Sequence, residues 1–301
     1  MFALQKVNAR RKNDNKRNEK VDRRSRIMKK MLITGVTGFV GGRVAEYYKN
    51  SYEILTPTHS EMDITEETSV LQYFNTHKPD MVVHCAAVSD VGTCEREPEY
   101  SWKVNVVGTE NIVKAAKEIS AKCVCCSSDQ VYCGVTAEEA NAEENVVNPT
   151  NVYGKEKAYA EQSCLSIDKE SVHVRLAWMY DATDTKRMDF IKQLRACAMH
   201  ERKTVFSPKD KRGITNVWEV VENIEKAFRL PGGVYHFGSP NDKSTYETVL
   251  AILEKKGYDT SFVQKMENAN SRNLTMSQKK INGYGIYFSD TVEGVLKAWK
   301  K

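Results

Sequence analysis

Apolar residues in this chain gather in short blocks, and between the blocks they recur at helical spacing. The first block, residues 31–34 (MLIT), predicts a strand, followed by a glycine turn and a helix reaching about residue 50. Residues 52–56 predict a second strand and 66–76 a helix; 81–87 predict a third strand and 98–119 a long helix. A fourth strand over 122–127, a helix over about 150–165 and a fifth strand over 172–178 complete the series. Apolar strands alternating with helices predict the α/β class, a parallel sheet covered on both faces. Past Tyr180 the rhythm loosens. Residues 190–199, 217–230 and 245–256 read as helices and 233–238 as a strand, the pattern of a smaller α/β lobe that supplies substrate contacts.

At 301 residues, 41% hydrophobic and 28% charged, the composition is that of an ordinary globular protein. Collagen-like, disulfide-scaffold and wholly disordered classes are excluded. No apolar run approaches the roughly 20 residues of a membrane span, so no membrane partner is expected. The net charge of +5 divides unevenly: residues 1–30 hold 12 Lys and Arg against 3 Asp and Glu, the remainder 33 against 37. The basic character thus belongs to the N-terminal segment, and nucleic acid is not an expected partner of the body. Residues 1–29 cannot bury enough apolar surface to fold alone and are expected to form a disordered basic tail. That tail lacks the apolar stretch of a secretory signal. Of the eight cysteines, Cys123 and Cys126 have the spacing of half a zinc site. No second pair follows, and the run AKCVCCSS reads as a buried strand, so no metal is expected. Thiols without a signal peptide point to a reducing cytoplasm.

Three motifs carry chemistry. The turn after the first strand holds Gly35, Gly38 and Gly41, in the place where a tight loop and a helix N-terminus hold a pyrophosphate. The spacing is GxxGxxG, and a purely structural turn would need some of these glycines too. Tyr153 and Lys157 stand four apart, on one face of a helix. An ammonium beside a phenol favours the phenolate, lowering the phenol's pKa so that it can hand a proton to a forming alkoxide. Ser127, Ser128 and Asp129 follow the fourth strand, at the sheet end where sites form, and a hydroxyl there can polarise a carbonyl. Alone, the pair is a common surface spacing and the serines are a plain strand end. In the order phosphate loop, hydroxyl, YxxxK they are far more specific.

With these residues the chain resembles the extended short-chain dehydrogenase/reductase family. It carries TGVTGFVGG (34–42), MDIT (62–65), HCAA (84–87), VNVVGTEN (104–111), SSDQVY (127–132) and YGKEK (153–157). Within the family it is most similar to the dTDP-4-dehydrorhamnose reductase branch, on CEREPEY (94–100), VRLAWMY (174–180) and NLTMSQKKINGYGI (273–286).

The resemblance implies a dinucleotide-binding Rossmann domain over 30–180 and a smaller substrate lobe over 181–301, with some return to the main domain left open. It implies Tyr153 as proton donor, Lys157 as its partner and ribose contact, and Ser128 orienting the carbonyl. Gly35, Gly38, Phe39, Val40 and Gly41 would line the pyrophosphate, Asp63 and Ile64 the adenine end, and Ala86 and Ala87 the cofactor's middle. Asn105 would support the site, and Trp178 would contact the sugar nucleotide; read alone, Trp178 is a core residue. Ser128 stands where the branch has threonine, which keeps the hydroxyl, and Gln130 replaces an aromatic residue. The second strand ends in Thr56-Pro57-Thr58-His59, without the acid that holds a ribose 2′-hydroxyl. His59 and Arg43 are candidate partners for a 2′-phosphate, so NADP(H) is favoured over NAD(H). The expected activity is reduction of a nucleotide-linked 4-keto sugar, with a homodimer left open. The alternatives are a sugar-nucleotide epimerase or dehydratase, and a non-catalytic regulatory subunit of the same fold.

Overall fold

In the computed structural model, which describes residues 28–183 and 188–299, most of the expected tail lies outside the described residues. The chain begins with β1 (Lys30–Thr34), α1 (Gly41–Tyr48), β2 (Glu53–Leu55), α2 (Glu67–His77) and β3 (Met81–His84). There follow α3 (Val91–Arg96), α4 (Pro98–Trp102), a π-helical turn (Lys103–Val107), α5 (Gly108–Glu118) and β4 (Lys122–Ser128). A 3-10 turn (Asp129–Tyr132) leads on to α6 (Val152–Ile167) and β5 (Val172–Leu176). Next come β6 (Trp178–Tyr180), α7 (Phe190–Met199), β7 (Thr204–Phe206), β8 (Asp210–Lys211), β9 (Ile214–Asn216) and α8 (Val217–Ala227). The chain ends with β10 (Gly233–Phe237), α9 (Thr245–Lys255), β11 (Val263–Lys265), β12 (Arg272–Asn273), α10 (Lys279–Asn282) and α11 (Thr291–Ala298).

Six strands form one sheet in the order β2-β1-β3-β4-β5-β10, with every pairing parallel. This is the expected α/β fold. The strand order reverses at β1, which has β2 on one side and β3 on the other. Sites in open α/β sheets form beyond the strand ends at such a switch point. Side chains alternate across the sheet. Met31 and Ile33 join Val124, Val174, Phe237 and the α8 residues Val220 and Ile224 on one face. Leu32, Val82 and Cys123 pack with Phe74 of α2 and Ile112 of α5 on the other. Both faces are covered, which is why the strands read as unbroken apolar blocks.

The sixth strand comes from beyond residue 181: β10 pairs with β5, Tyr235 opposite Val174, and α8 covers the sheet beside α1. The smaller lobe is a separate apolar cluster around Tyr180, Phe190, Leu194, Ile252, Leu253 and Trp299. Its strands form the short parallel pairs β6–β9, β7–β11 and β8–β12.

Two expected elements are broken. The helix over 98–119 contains the π-helical turn, whose Asn105 is fully buried and bonds the backbone of Val88 through both its amide atoms. The strand over 172–178 stops at Leu176; Ala177 then lies against Gly238, where an added Cβ would sit 2.5 Å from the alanine Cβ. The chain then leaves the sheet as β6.

Candidate active site

Beyond the carboxyl ends of β1, β3, β4 and β5 lies a cleft of about 750 Å³. Its first wall is the turn from β1 into α1. Gly35 sits at φ +68°, and a Cβ there would come within 2.6 Å of the Ala86 backbone nitrogen, so only glycine fits. Helix α1 starts with no side-chain cap, and Gly38, Phe39, Val40 and Gly41 line the cleft. An uncapped N-terminus presents N–H groups and the positive end of the helix dipole. Together with the cleft's size, this donor set fits the pyrophosphate of a dinucleotide.

The opposite wall is built from the end of β4 and the first turn of α6. Asn151 caps α6 by accepting from the Gly154 N–H at 2.7 Å. That fixes the helix start and brings Tyr153 and Lys157 to the cleft with Ser128. Ser128 accepts from the Gln130 N–H at 3.2 Å and donates to Asp129 at 3.3 Å. Its hydroxyl is near enough to Tyr153 to lower the phenol's pKa. Lys157 is buried, donates to the Cys126 carbonyl at 3.1 Å and sits 5.8 Å from the Tyr153 ring centre.

The structure corrects the expected pKa of the tyrosine. Burial pushes the phenol well above its ordinary value of 10.0; the Ser128 hydroxyl pulls down, and Asp129 adds to the rise. Burial also lowers the pKa of Lys157, against the opposing pull of the neighbouring thiols and Glu156. The phenol therefore keeps its proton at neutral pH. For a proton donor this is the required state.

Ala87 and Trp178 also line the cleft. Trp178 packs edge-on against Phe190, ring centres 5.1 Å apart. Asp63, Ile64, Ala86 and Asn105 are not among the residues that line the cleft. The Asp63 carboxylate accepts from Thr65 N–H and O–H at 2.9 and 2.8 Å, and the Ile64 carbonyl accepts from Asn111 at 2.9 Å. Ala86 backs Gly35. Asn105 donates to Glu156 at 2.6 Å and holds the Val88 loop that leads to Ser89 and Asp90 on the cleft.

The two candidate 2′-phosphate partners are otherwise engaged. Arg43 donates to Asp181 at 2.6 Å and to the Phe39 carbonyl at 2.7 Å, tying α1 to the end of β6. His59 is exposed, 3.5 Å from Asp63. Residues 56–59 carry no acid, as expected; further on, the Glu61 carboxylate accepts from Thr58 N–H and O–H, both at 2.8 Å.

Sequence reasoning missed two cleft cations. Arg212 is held by Asp129 at 2.9 Å and lies 4.9 Å from the Trp178 ring centre, its Nε buried without a partner. Arg272, anchored to Asp210 at 2.6 Å, lines the same end. Behind the site, Arg175 pairs with Glu161 at 2.6 Å, both about 5% exposed or less, and Glu161 accepts from Ser127 at 2.5 Å. Cys123 and Cys126 lie on opposite faces of the sheet. Among the described residues no three His, Cys, Asp or Glu side chains converge where a metal would sit, and no helix is long and apolar enough to cross a membrane.

A family described as "RmlD substrate binding domain" matches residues 28–279. The dTDP-4-dehydrorhamnose reductase of Aggregatibacter actinomycetemcomitans is 27% identical over 237 residues, 76% of this chain and 79% of that protein. Methionine adenosyltransferase 2 subunit beta of Xenopus laevis is 26% identical over 241 residues, 75% of this chain and 72% of that protein. The solved structure of dTDP-4-dehydrorhamnose reductase from Bacillus anthracis, in complex with NADP, shares the fold. Its TM-score is 0.79 at 22% identity, covering 91% of this chain and 98% of that one.

Proposed function

The chain belongs to the RmlD substrate binding domain family, and from that premise we propose that it is an NADPH-dependent reductase of a nucleotide-linked 4-keto sugar, of the dTDP-4-dehydrorhamnose type. The observation that carries the reading is the meeting of Ser128, Tyr153 and Lys157 on the cleft that the glycine loop opens. The reductase relative and the NADP complex of a fold neighbour support both substrate class and cofactor.

In this reading the loop 35–41 and the α1 N-terminus hold the pyrophosphate. When bound, the nicotinamide supplies a hydride to the carbonyl carbon. Ser128 and Tyr153 direct two hydroxyls at the carbonyl oxygen, and Tyr153 releases its proton as charge develops there. Lys157 keeps a positive charge beside the ring and donates to the cofactor's ribose. Arg212 and Arg272 face the substrate's diphosphate, and Trp178 lies along the sugar nucleotide, held in place by Phe190.

Steady-state oxidation of NADPH with dTDP-4-dehydrorhamnose tests the proposal, and turnover with net loss of NADPH is the expected result. A chain that turns the substrate over without net NADPH consumption would be an epimerase or dehydratase. One that binds NADPH yet is inert toward every nucleotide-linked 4-keto sugar would belong with the subunit-type relative.

A further inference from the structure

Two thiols in the cleft have no part in the chemistry above. Cys85 follows β3 and Cys126 lies in β4; both are half-buried and both line the cleft. Their sulfurs are 3.5 Å apart. The pairing of His84 with Cys125 places them opposite one another, one residue further along.

We propose that Cys85 and Cys126 form a reversible disulfide site in the cleft, oxidised by a small-molecule disulfide such as glutathione disulfide and coupled to cofactor binding.

The geometry allows the bond. Neighbouring strands lie about 4.7–4.9 Å apart, inside the roughly 4.4–6.8 Å that a disulfide spans between Cα atoms. Rotation about the Cα–Cβ bonds then has to bring the sulfurs from 3.5 Å to about 2.05 Å. The second close pair is a built-in contrast. The Cys123 and Cys125 sulfurs are 3.6 Å apart, but the two residues follow one another on one face of a single strand. Their Cβ atoms are then about 6.6 Å apart by strand rise, beyond the roughly 4.5 Å limit. They are also buried on the face away from the cleft.

The chemistry assigns an order. Hydrogen bonding from Cys85 and the Lys157 charge lower the Cys126 thiol pKa against the effect of burial. Lying beside Lys157, Cys126 is the thiol we assign to the first attack. It displaces one thiolate from the small disulfide and becomes a mixed disulfide. Cys85 then attacks the Cys126 sulfur, and its proton passes to the second thiolate as that thiolate is displaced. Two thiols lose two electrons and two protons, and the small disulfide leaves as two thiols.

Closing this bond reshapes the wall at both residues, and Lys157 is fixed to the Cys126 carbonyl. Oxidation and cofactor thus compete for one wall. By linkage, whatever factor the disulfide removes from cofactor affinity, bound cofactor removes from the ease of oxidation. This coupling rests on the cofactor reading of the cleft; the disulfide itself does not.

The test equilibrates the full chain in glutathione and glutathione disulfide buffers of varied ratio, with and without saturating NADPH, followed by alkylation, peptide mapping and fluorescence titration of NADPH. The expected product is a single Cys85–Cys126 cross-link, two hydrogens lighter than the reduced chain, reversed by dithiothreitol and absent from Cys85→Ser and Cys126→Ser. NADPH lowers the equilibrium constant of its formation about tenfold or more, and the oxidised chain binds NADPH more weakly by the same factor. Mixed disulfides alone, no product, or a Cys123–Cys125 link would overturn the site. An unchanged oxidation equilibrium in a chain that binds NADPH would overturn the coupling. Cross-linking in a chain that does not bind NADPH would support the site and remove the cofactor reading.

Discussion

Replacing Tyr153 by Phe removes one oxygen from the cleft and leaves a ring of nearly the same volume in the same packing. The lost hydroxyl faces Ser128, so stability should fall by no more than the net worth of one hydrogen bond, about 0.5–1.5 kcal/mol. The loss to chemistry is larger. A positioned general acid is typically worth about 10²–10⁴-fold, or about 2.7–5.4 kcal/mol of barrier. Single-turnover NADPH oxidation at saturating keto sugar should show that loss in the rate constant, with NADPH affinity from fluorescence titration nearly unchanged. The pH profile carries a second check. Because burial lifts the phenol's pKa above 10.0, the protonated donor persists at neutral pH, and activity is lost only as pH rises through the raised value. An alkaline limb near pH 7–8 assigned to Tyr153, or a Phe variant within about tenfold of wild type, would refute the reasoning.

Three further substitutions probe other parts of the site. Arg212→Ala should raise KM for the nucleotide sugar by about 10–150-fold, the worth of a charged hydrogen bond, without changing NADPH affinity; an unchanged KM removes Arg212 from substrate binding. Arg175→Met leaves the Glu161 carboxylate buried and uncompensated and should cost about 3–5 kcal/mol in urea unfolding; a cost under about 1 kcal/mol would mean the pair is relieved by water. Burial alone would raise the Asp181 pKa, yet hydrogen bonds from Thr183, Trp218 and Arg43 outweigh it and hold it at about 2, against 3.8 ordinarily. A depressed carboxylate stabilises the fold above its ordinary pKa and loses that contribution as pH falls through the lower one. Asp181→Asn should therefore flatten the acid limb of stability between about pH 4 and 2, and an unchanged limb in acid titration would count against the hydrogen bonds from Thr183, Trp218 and Arg43 as the cause of the shift.

What the sequence made legible was local. The block MLIT followed by Gly35 marks a strand and a turn because both signals fall within a few residues. Tyr153 and Lys157 announce a shared face because four residues make about one helical turn. Ser128 reads as a site residue because it ends an apolar block. The pairing of Arg212 with Asp129 spans 83 residues and leaves no periodic trace. The π-helical turn at 103–107 hides in a stretch that reads as continuous helix, since one widened turn changes no residue type. The sign of the Tyr153 shift was misjudged for a related reason: spacing shows that an ammonium is near, but not that the phenol is buried.

The placement of β10 also bears on how the chain is made. β5 ends at Leu176, but the strand that completes its outer edge ends at Phe237. At synthesis rates of roughly 5–20 residues per second, about 60 residues must still be added, a delay of roughly 3–12 s. Throughout that interval the nascent sheet carries an unpaired edge strand, and its apolar face lacks the cover of α8 until residues 217–227 emerge. Open apolar edges recruit other chains, so nascent chains that expose β5 but not yet β10 are the ones that should hold longest to chaperones. Ribosome profiling of chaperone-bound nascent chains would show release only after β10 has cleared the exit tunnel.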